Sequence, residues 1–120
     1  MKQPETIKID DVEYVRKDSE RAVSVDGLPY VICRTQSAGV FAGYLKERVG
    51  QEVTLLKARR LWYWVGAASL SQAAMSGFSK PRECKFHESV KKILLLQVIE
   101  ILDCTDIAYM SICSVPVWRY

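Results

Sequence analysis

Arg59-Arg60-Leu61-Trp62-Tyr63-Trp64-Val65-Gly66-Ala67-Ala68-Ser69-Leu70-Ser71-Gln72 gathers in fourteen positions the groups that can hold a nucleotide. A guanidinium binds phosphate, an aromatic face stacks on a base, and the first amides of a helix attract anions. Strand alternation would set Arg60, Trp62 and Trp64 on one face and Arg59, Leu61 and Tyr63 on the other. Arg60 beside Trp62 then couples a charge to a stacking surface, with Ser69, Ser71 and Gln72 opening the next helix. Arg34, ahead of Ser37-Ala38-Gly39, adds a second guanidinium and a turn whose amides could face an anion. Arg119, between Trp118 and Tyr120, repeats the cation–aromatic pairing. Each of these has a plain alternative: Trp62 and Trp64 as strand core, Arg34 and Arg60 as surface ion-pair partners, Ser69 as a simple helix cap.

Groups for bond-breaking chemistry are scarcer. His87 is the one histidine, in a charged stretch that reads as an exposed loop. No H-E-x-x-H, G-x-S-x-G, P-loop or G-x-G-x-x-G pattern occurs. Asp10-Asp11 fits a turn, and Asp106 sits where a helix dipole favours a carboxylate. Cys33, Cys84, Cys104 and Cys113 have no sequence neighbour that would lower a thiol pKa and read as reduced thiols. Cys84-Lys85-Phe86-His87 has C-x-x-H spacing, but a structural zinc site shows two compact ligand pairs and here there is one. The expectation is a protein that is not an enzyme, without catalytic residues, metal ligands or a cofactor.

These residues must be positioned by the elements around them. Ile7-Lys8-Ile9-Asp10 and Val12 to Arg16 alternate like a small β-unit, followed by a charged loop to Asp26. Asp26-Gly27-Leu28-Pro29 signals a turn. Tyr30 to Thr35 and Val40 to Lys46 read as strands, with a kink or bulge at Ser37-Ala38-Gly39. Glu52 to Trp64 is long for one strand, so a bend is expected near Lys57-Ala58. Ser69 is an N-cap candidate for a helix to Ser76, and Gly77 suits its C-terminal cap. Cys84 to Phe86 reads as a short strand, and Val90 to Leu102 fits a buried strand or a helix, the strand being favoured because a turn and a clearer helix follow. Thr105 caps a second helix that runs to Cys113 and stops before Pro116, leaving Val117 to Tyr120 as a strand-like tail. The sum is an α+β domain, an antiparallel β-sheet core decorated with two short helices.

A chain of 120 residues suits one domain, with residues 1–27 as N-terminal β-unit and loop and 28–118 as core. Hydrophobic and charged fractions of 49% and 26% are those of a soluble globular protein. The longest apolar run, Ile93 to Leu96, is too short to span a bilayer, and the first residues lack the apolar segment of a secretory signal. The cytoplasm is therefore the expected compartment. A net charge of +3, with both signs interspersed, argues against tight binding of duplex nucleic acid but leaves room for a small anion.

Tyr30 to Tyr44, with Cys33-Arg34-Thr35-Gln36-Ser37-Ala38-Gly39 at its centre, and Ala58 to Ala73 resemble segments of small phage and prophage proteins. Val98-Ile99-Glu100-Ile101 and Val115-Pro116-Val117-Trp118 are similar to their C-terminal end. On these motifs the chain resembles the first described Thoeris anti-defence family, the phage sponge proteins, over about residues 28–118. The resemblance implies a non-catalytic role in the host cell cytoplasm: binding and sequestering a cyclic ADP-ribose isomer, the signal of a bacterial TIR-domain enzyme. It further implies a helix-decorated β-core and a homo-oligomer, dimer or hexamer; some members also hold cyclic oligonucleotides at a separate site. Carried over by position, Arg34 and Arg60 would contact the ligand, Gln72 would supply an amide, and Arg119 lies just beyond the matching Trp118. The chain has no asparagine, so no asparagine contact carries over. Two other readings stand beside this one: a phage structural or assembly accessory protein using its aromatics as subunit contacts, and an enzyme that degrades a cyclic nucleotide with His87 or a metal.

Overall fold

The computed structural model describes residues 27–119, so the N-terminal β-unit and the charged loop after it lie outside the described residues. Six strands and two helices occur in the order β1 (Tyr30–Thr35), β2 (Val40–Val49), β3 (Glu52–Tyr63), α1 (Leu70–Ser76), β4 (Lys85–Phe86), β5 (Val90–Leu95), β6 (Val98–Asp103) and α2 (Asp106–Ser114). A 3₁₀ turn at Pro81–Glu83 precedes β4. This is the expected α+β architecture: an antiparallel sheet carrying two short helices.

β1 and the first half of β2 are buried on both faces, which is why they read as nearly continuous apolar runs. Val31, Cys33 and Phe41 point into one core with Val53, Leu55, Ala58, Leu95 and Val98. Tyr30, Ile32, Ala42 and Tyr44 point the other way, beneath Ala73 and Ala74 of α1 and Ile112 of α2. Full burial of an aliphatic or phenyl side chain contributes roughly 1.5–3 kcal/mol. Ile32, Leu55, Phe86 and Ile112 therefore anchor the two layers.

The strands pair in the order β4-β3-β2-β1-β6, with β5 on the same side of β3 as β4. β3 is long enough to serve both: its first half pairs with β5 from Val53 to Ala58, its second with β4 at Leu61 and Tyr63. β5 and β6 thus lie on opposite edges of the sheet, yet only Leu96 and Gln97 separate them in sequence. The sheet must curl until its edges meet at that corner, where Gln36 N–H donates to Gln97 O at 2.9 Å and Val98 N–H to Gln51 O at 3.0 Å. The single strand read over Val90 to Leu102 is therefore two strands with a sharp corner. No glycine or proline marks it, because the corner is fixed by tertiary hydrogen bonds.

The expected bend in β3 is present. Lys57 takes φ 51°, and two residues, Lys57 and Ala58, oppose Gly43 alone between the Ala42–Arg59 and Tyr44–Leu56 pairs. Such a bulge twists the strand and re-aims the side chains beyond it. It demands glycine opposite, since a Cβ on Gly43 would lie 3.0 Å from Leu56 O and 3.1 Å from the Ala58 Cα. Ser37-Ala38-Gly39, read as a kink or bulge, is instead the turn of the β1–β2 hairpin. Thr35 braces it by accepting from Ala38 N–H at 2.9 Å and donating to Gly39 O at 2.7 Å.

Both helix caps fall as the sequence indicates. Ser69 Oγ accepts from Gln72 N–H at 3.1 Å and Thr105 Oγ1 from Ala108 N–H at 3.1 Å. Gly77 closes α1 at φ 76°, and its lack of a side chain admits Ser111 of α2, whose Cβ would sit 2.4 Å from an added Cβ. The two helices are pinned at this contact, with Ser111 Oγ bonded to Phe78 N–H and O.

Candidate functional site

Beyond the bulge, Leu61 and Phe86 face the helices in paired positions of β3 and β4. Alternation then turns Arg60 and Trp62 of β3, with Lys85 and His87 flanking Phe86, to the opposite face. Arg60 is exposed and its guanidinium lies 4.7 Å from the centroid of the buried Phe41 ring. It lines two adjoining clefts of about 330 and 290 Å³, one walled by His87, Glu88 and Val90, the other by Ser37, Ala38 and Leu94–Gln97. Phe41, Arg60 and Ile93 belong to both, so the clefts form one groove with a fixed cation at its middle.

His87 reads from sequence as an exposed loop residue; here it is half-buried. Its amide donates to Arg60 O at 3.0 Å, and its ring meets Trp118 edge-on at 5.6 Å. Its Nε2 is the one buried side-chain nitrogen or oxygen among the described residues without a hydrogen-bond partner.

The other sequence candidates divide. Ser37 joins Arg60 in the groove, although the Ala38 amide of its turn is already used by Thr35. Arg34 is turned to Glu100, its directly paired neighbour on β6, with Nε 2.9 Å from Oε1. Ser69 and Gln72 are occupied with each other's segment: Ser69 caps the helix, and Gln72 Oε1 accepts from Ala68 N–H at 2.8 Å. The residues that looked like ligand groups at this helix start close its own backbone.

Trp62 and Arg119 belong to a second cluster. Trp62 is 55% exposed and stacks on Trp118 with centroids 5.1 Å apart and planes 4° from parallel. Lys85 Nζ lies 5.7, 5.6 and 5.6 Å from the rings of Trp62, Tyr63 and Trp118. Strict alternation ends here. The β3–β4 register shifts between Leu61 and Tyr63, Tyr63 is exposed with Trp62, and Trp64 turns toward the core beside Phe78.

The arginine that sequence reasoning passed over is Arg59. It is buried, and it donates Nη1–H to Ile112 O and Val115 O, each at 2.9 Å, and Nε–H to His87 O at 3.0 Å. One planar guanidinium thus satisfies the end of α2 and the segment after β4, and burial lowers its pKa from the ordinary value. Its neighbour Arg60 is left to solvent and the groove. A doubled arginine before an aromatic run carries no signal of which member enters the core.

Burial pushes the Cys33 and Cys104 thiols up to about 12 and raises that of Cys84, so these sulfurs stay protonated near neutrality. Tyr109 is raised as well, by burial and by its hydrogen bond with Tyr44, whose hydroxyl lies at 2.9 Å. Among the described residues, no three His, Cys, Asp or Glu side chains are grouped to hold a metal ion, and no helix is long and apolar enough to cross a membrane.

A family model described as a domain of unknown function (DUF6948) matches residues 28–112. Comparison with curated proteins and with solved structures gives no match.

Proposed function

The chain belongs to the DUF6948 family, and we propose that it is a phage anti-defence protein that binds and sequesters a cyclic nucleotide signal, a cyclic ADP-ribose isomer, without converting it. The observation that carries this reading is the Arg60–Phe41 pair at the centre of the groove. An exposed guanidinium fixed over a buried ring is pre-oriented for a pyrophosphate, so little side-chain freedom is lost on binding. The apolar wall of Phe41, Ala58 and Ile93 can take up a ribose or base edge, and Ser37 supplies a hydroxyl at the far end. The groove is open on one side. Leu94 and Leu96, 55% and 61% exposed, stand on its rim, where a second copy of the chain would enclose the ligand in a homo-oligomer.

The test is capture and release. Purified protein is incubated with cyclic ADP-ribose isomer from a TIR-domain enzyme, filtered, and the protein fraction heated. Intact signal recovered only after heating supports sequestration, and an Arg60→Ala variant should leave it in the filtrate. Signal left free by the unaltered protein overturns the proposal, and signal consumed would make the protein an enzyme.

The second reading, a phage structural or assembly accessory protein, draws on the exposed Trp62–Trp118 stack, since aromatics and arginines concentrate at subunit contacts. It gains if Trp62→Ala dissociates an oligomer that Arg60→Ala leaves intact.

A further inference from the structure

We infer that the Trp62–Trp118 stack and the cations around it form a platform for single-stranded nucleic acid, separate from the Arg60 groove. The aromatic part is pre-assembled. Trp118 stacks on Trp62 and Tyr63 lies tilted beside it at 6.5 Å, yet Trp62 stays 55% exposed, which leaves indole surface for a third flat ring. Stacking on an already parallel pair extends a column without moving either indole, and every nucleobase offers the required π-face.

Charge sits where the strand's backbone would run. A cleft of about 550 Å³ beside the stack is lined by Arg82, Lys85 and Arg119, with Glu83 as its one carboxylate. Lys85 is held above three rings at once, which fixes an ammonium at the edge of the platform. Positive charge beside a stacking face is the combination that binds unpaired strands without reading sequence. A duplex keeps its bases inside and would meet only three cations, which agrees with the modest net charge of the chain. An acidic peptide would satisfy the charges but leave the indole face unused.

The platform does not depend on the function proposed for Arg60, and the two can be separated. Fluorescence anisotropy of a labelled twelve-nucleotide oligothymidylate, titrated with the full chain at low salt, should give saturable binding. Trp62→Ala should weaken it roughly ten-fold, the loss of one stacked base, and Trp62→Phe should recover part of that loss. Three cations on a single strand predict a fall of log affinity with log salt of slope about −2, made shallower by Lys85→Gln. Arg60→Ala should leave oligonucleotide binding unchanged. Trp62 is exposed, so an unchanged thermal midpoint of Trp62→Ala will show that the variant folds. No binding, binding indifferent to Trp62→Ala in a folded variant, or displacement by poly-glutamate of equal length would each overturn the inference.

Discussion

Replacing Arg59 tests whether one buried guanidinium holds the helical layer to the sheet. Three hydrogen bonds of 3.0 Å or less run from it to the carbonyls of Ile112, Val115 and His87. Bonds to a charged donor contribute roughly 1.5–3 kcal/mol each, and desolvation of the guanidinium offsets several kcal/mol of that. Arg59→Met removes the attraction and the desolvation together but takes the guanidinium donor from the Val115 and His87 carbonyls, while Ile112 O keeps the Val115 amide at 3.2 Å. The net loss should be about 3–4 kcal/mol, a large share of the roughly 5–15 kcal/mol that holds a domain together. Arg59→Lys keeps the charge, but a compact ammonium cannot reach three separated carbonyls, so it should recover less than half. Urea unfolding followed by circular dichroism measures both, and the thermal midpoint of Arg59→Met should fall by about 12–16 °C. A loss below about 1 kcal/mol for Arg59→Met, or full recovery by Arg59→Lys, would refute the reasoning.

Four other outcomes are expected. Arg60→Ala should change stability by less than about 0.5 kcal/mol while abolishing capture of the cyclic nucleotide, as read by calorimetry alongside thermal melting. Ser69→Ala should destabilise by about 1 kcal/mol through the lost cap and leave capture intact, because that hydroxyl serves the helix and not the groove. Gly77→Ala should destabilise by more than about 2 kcal/mol in urea titration, since a Cβ there meets Ser111 at a backbone φ of 76°. The Cys33 and Cys104 thiols, at about 12 in the fold against an ordinary 9.0, keep protons that the unfolded chain releases. Stability should therefore fall from pH 9 toward pH 12, and urea midpoints across that window will show whether it does.

What could be read from residues alone was local. Ser69, Thr105 and Gly77 announce helix ends because capping is a matter of three or four neighbouring atoms. The apolar runs of β1 and of the first half of β2 announce strands, and the length of β3 announces its bend. Three things depended on partners distant in sequence. The corner at Leu96-Gln97 is held by Gln36 and Gln51, so nothing in its own composition marks it. Arg59 and Arg60 are chemically identical neighbours, and their fates part because α2 offers carbonyls on one side only. Of the expected ligand residues, Ser37 and Arg60 share a groove, Trp62 and Arg119 share another surface, and Arg34, Ser69 and Gln72 are satisfied by neighbours. Types and spacing identified residues able to meet a nucleotide, whereas the fold decides which of them are still unspent.

The corner between β5 and β6 also determines how the sheet can come apart. In an open sheet the two edge strands are the first to fray, and they do so independently. Here they are consecutive in the chain and joined by two residues, so releasing β6 from β1 tugs on β5 and loosens β3 as well. The amides of the two edges should then exchange with solvent as one group, with a common opening free energy close to that of global unfolding. Because the groove is walled by residues from the β1–β2 turn, β3 and β5, a molecule filling it would act as a clamp on the whole sheet, holding both edges shut.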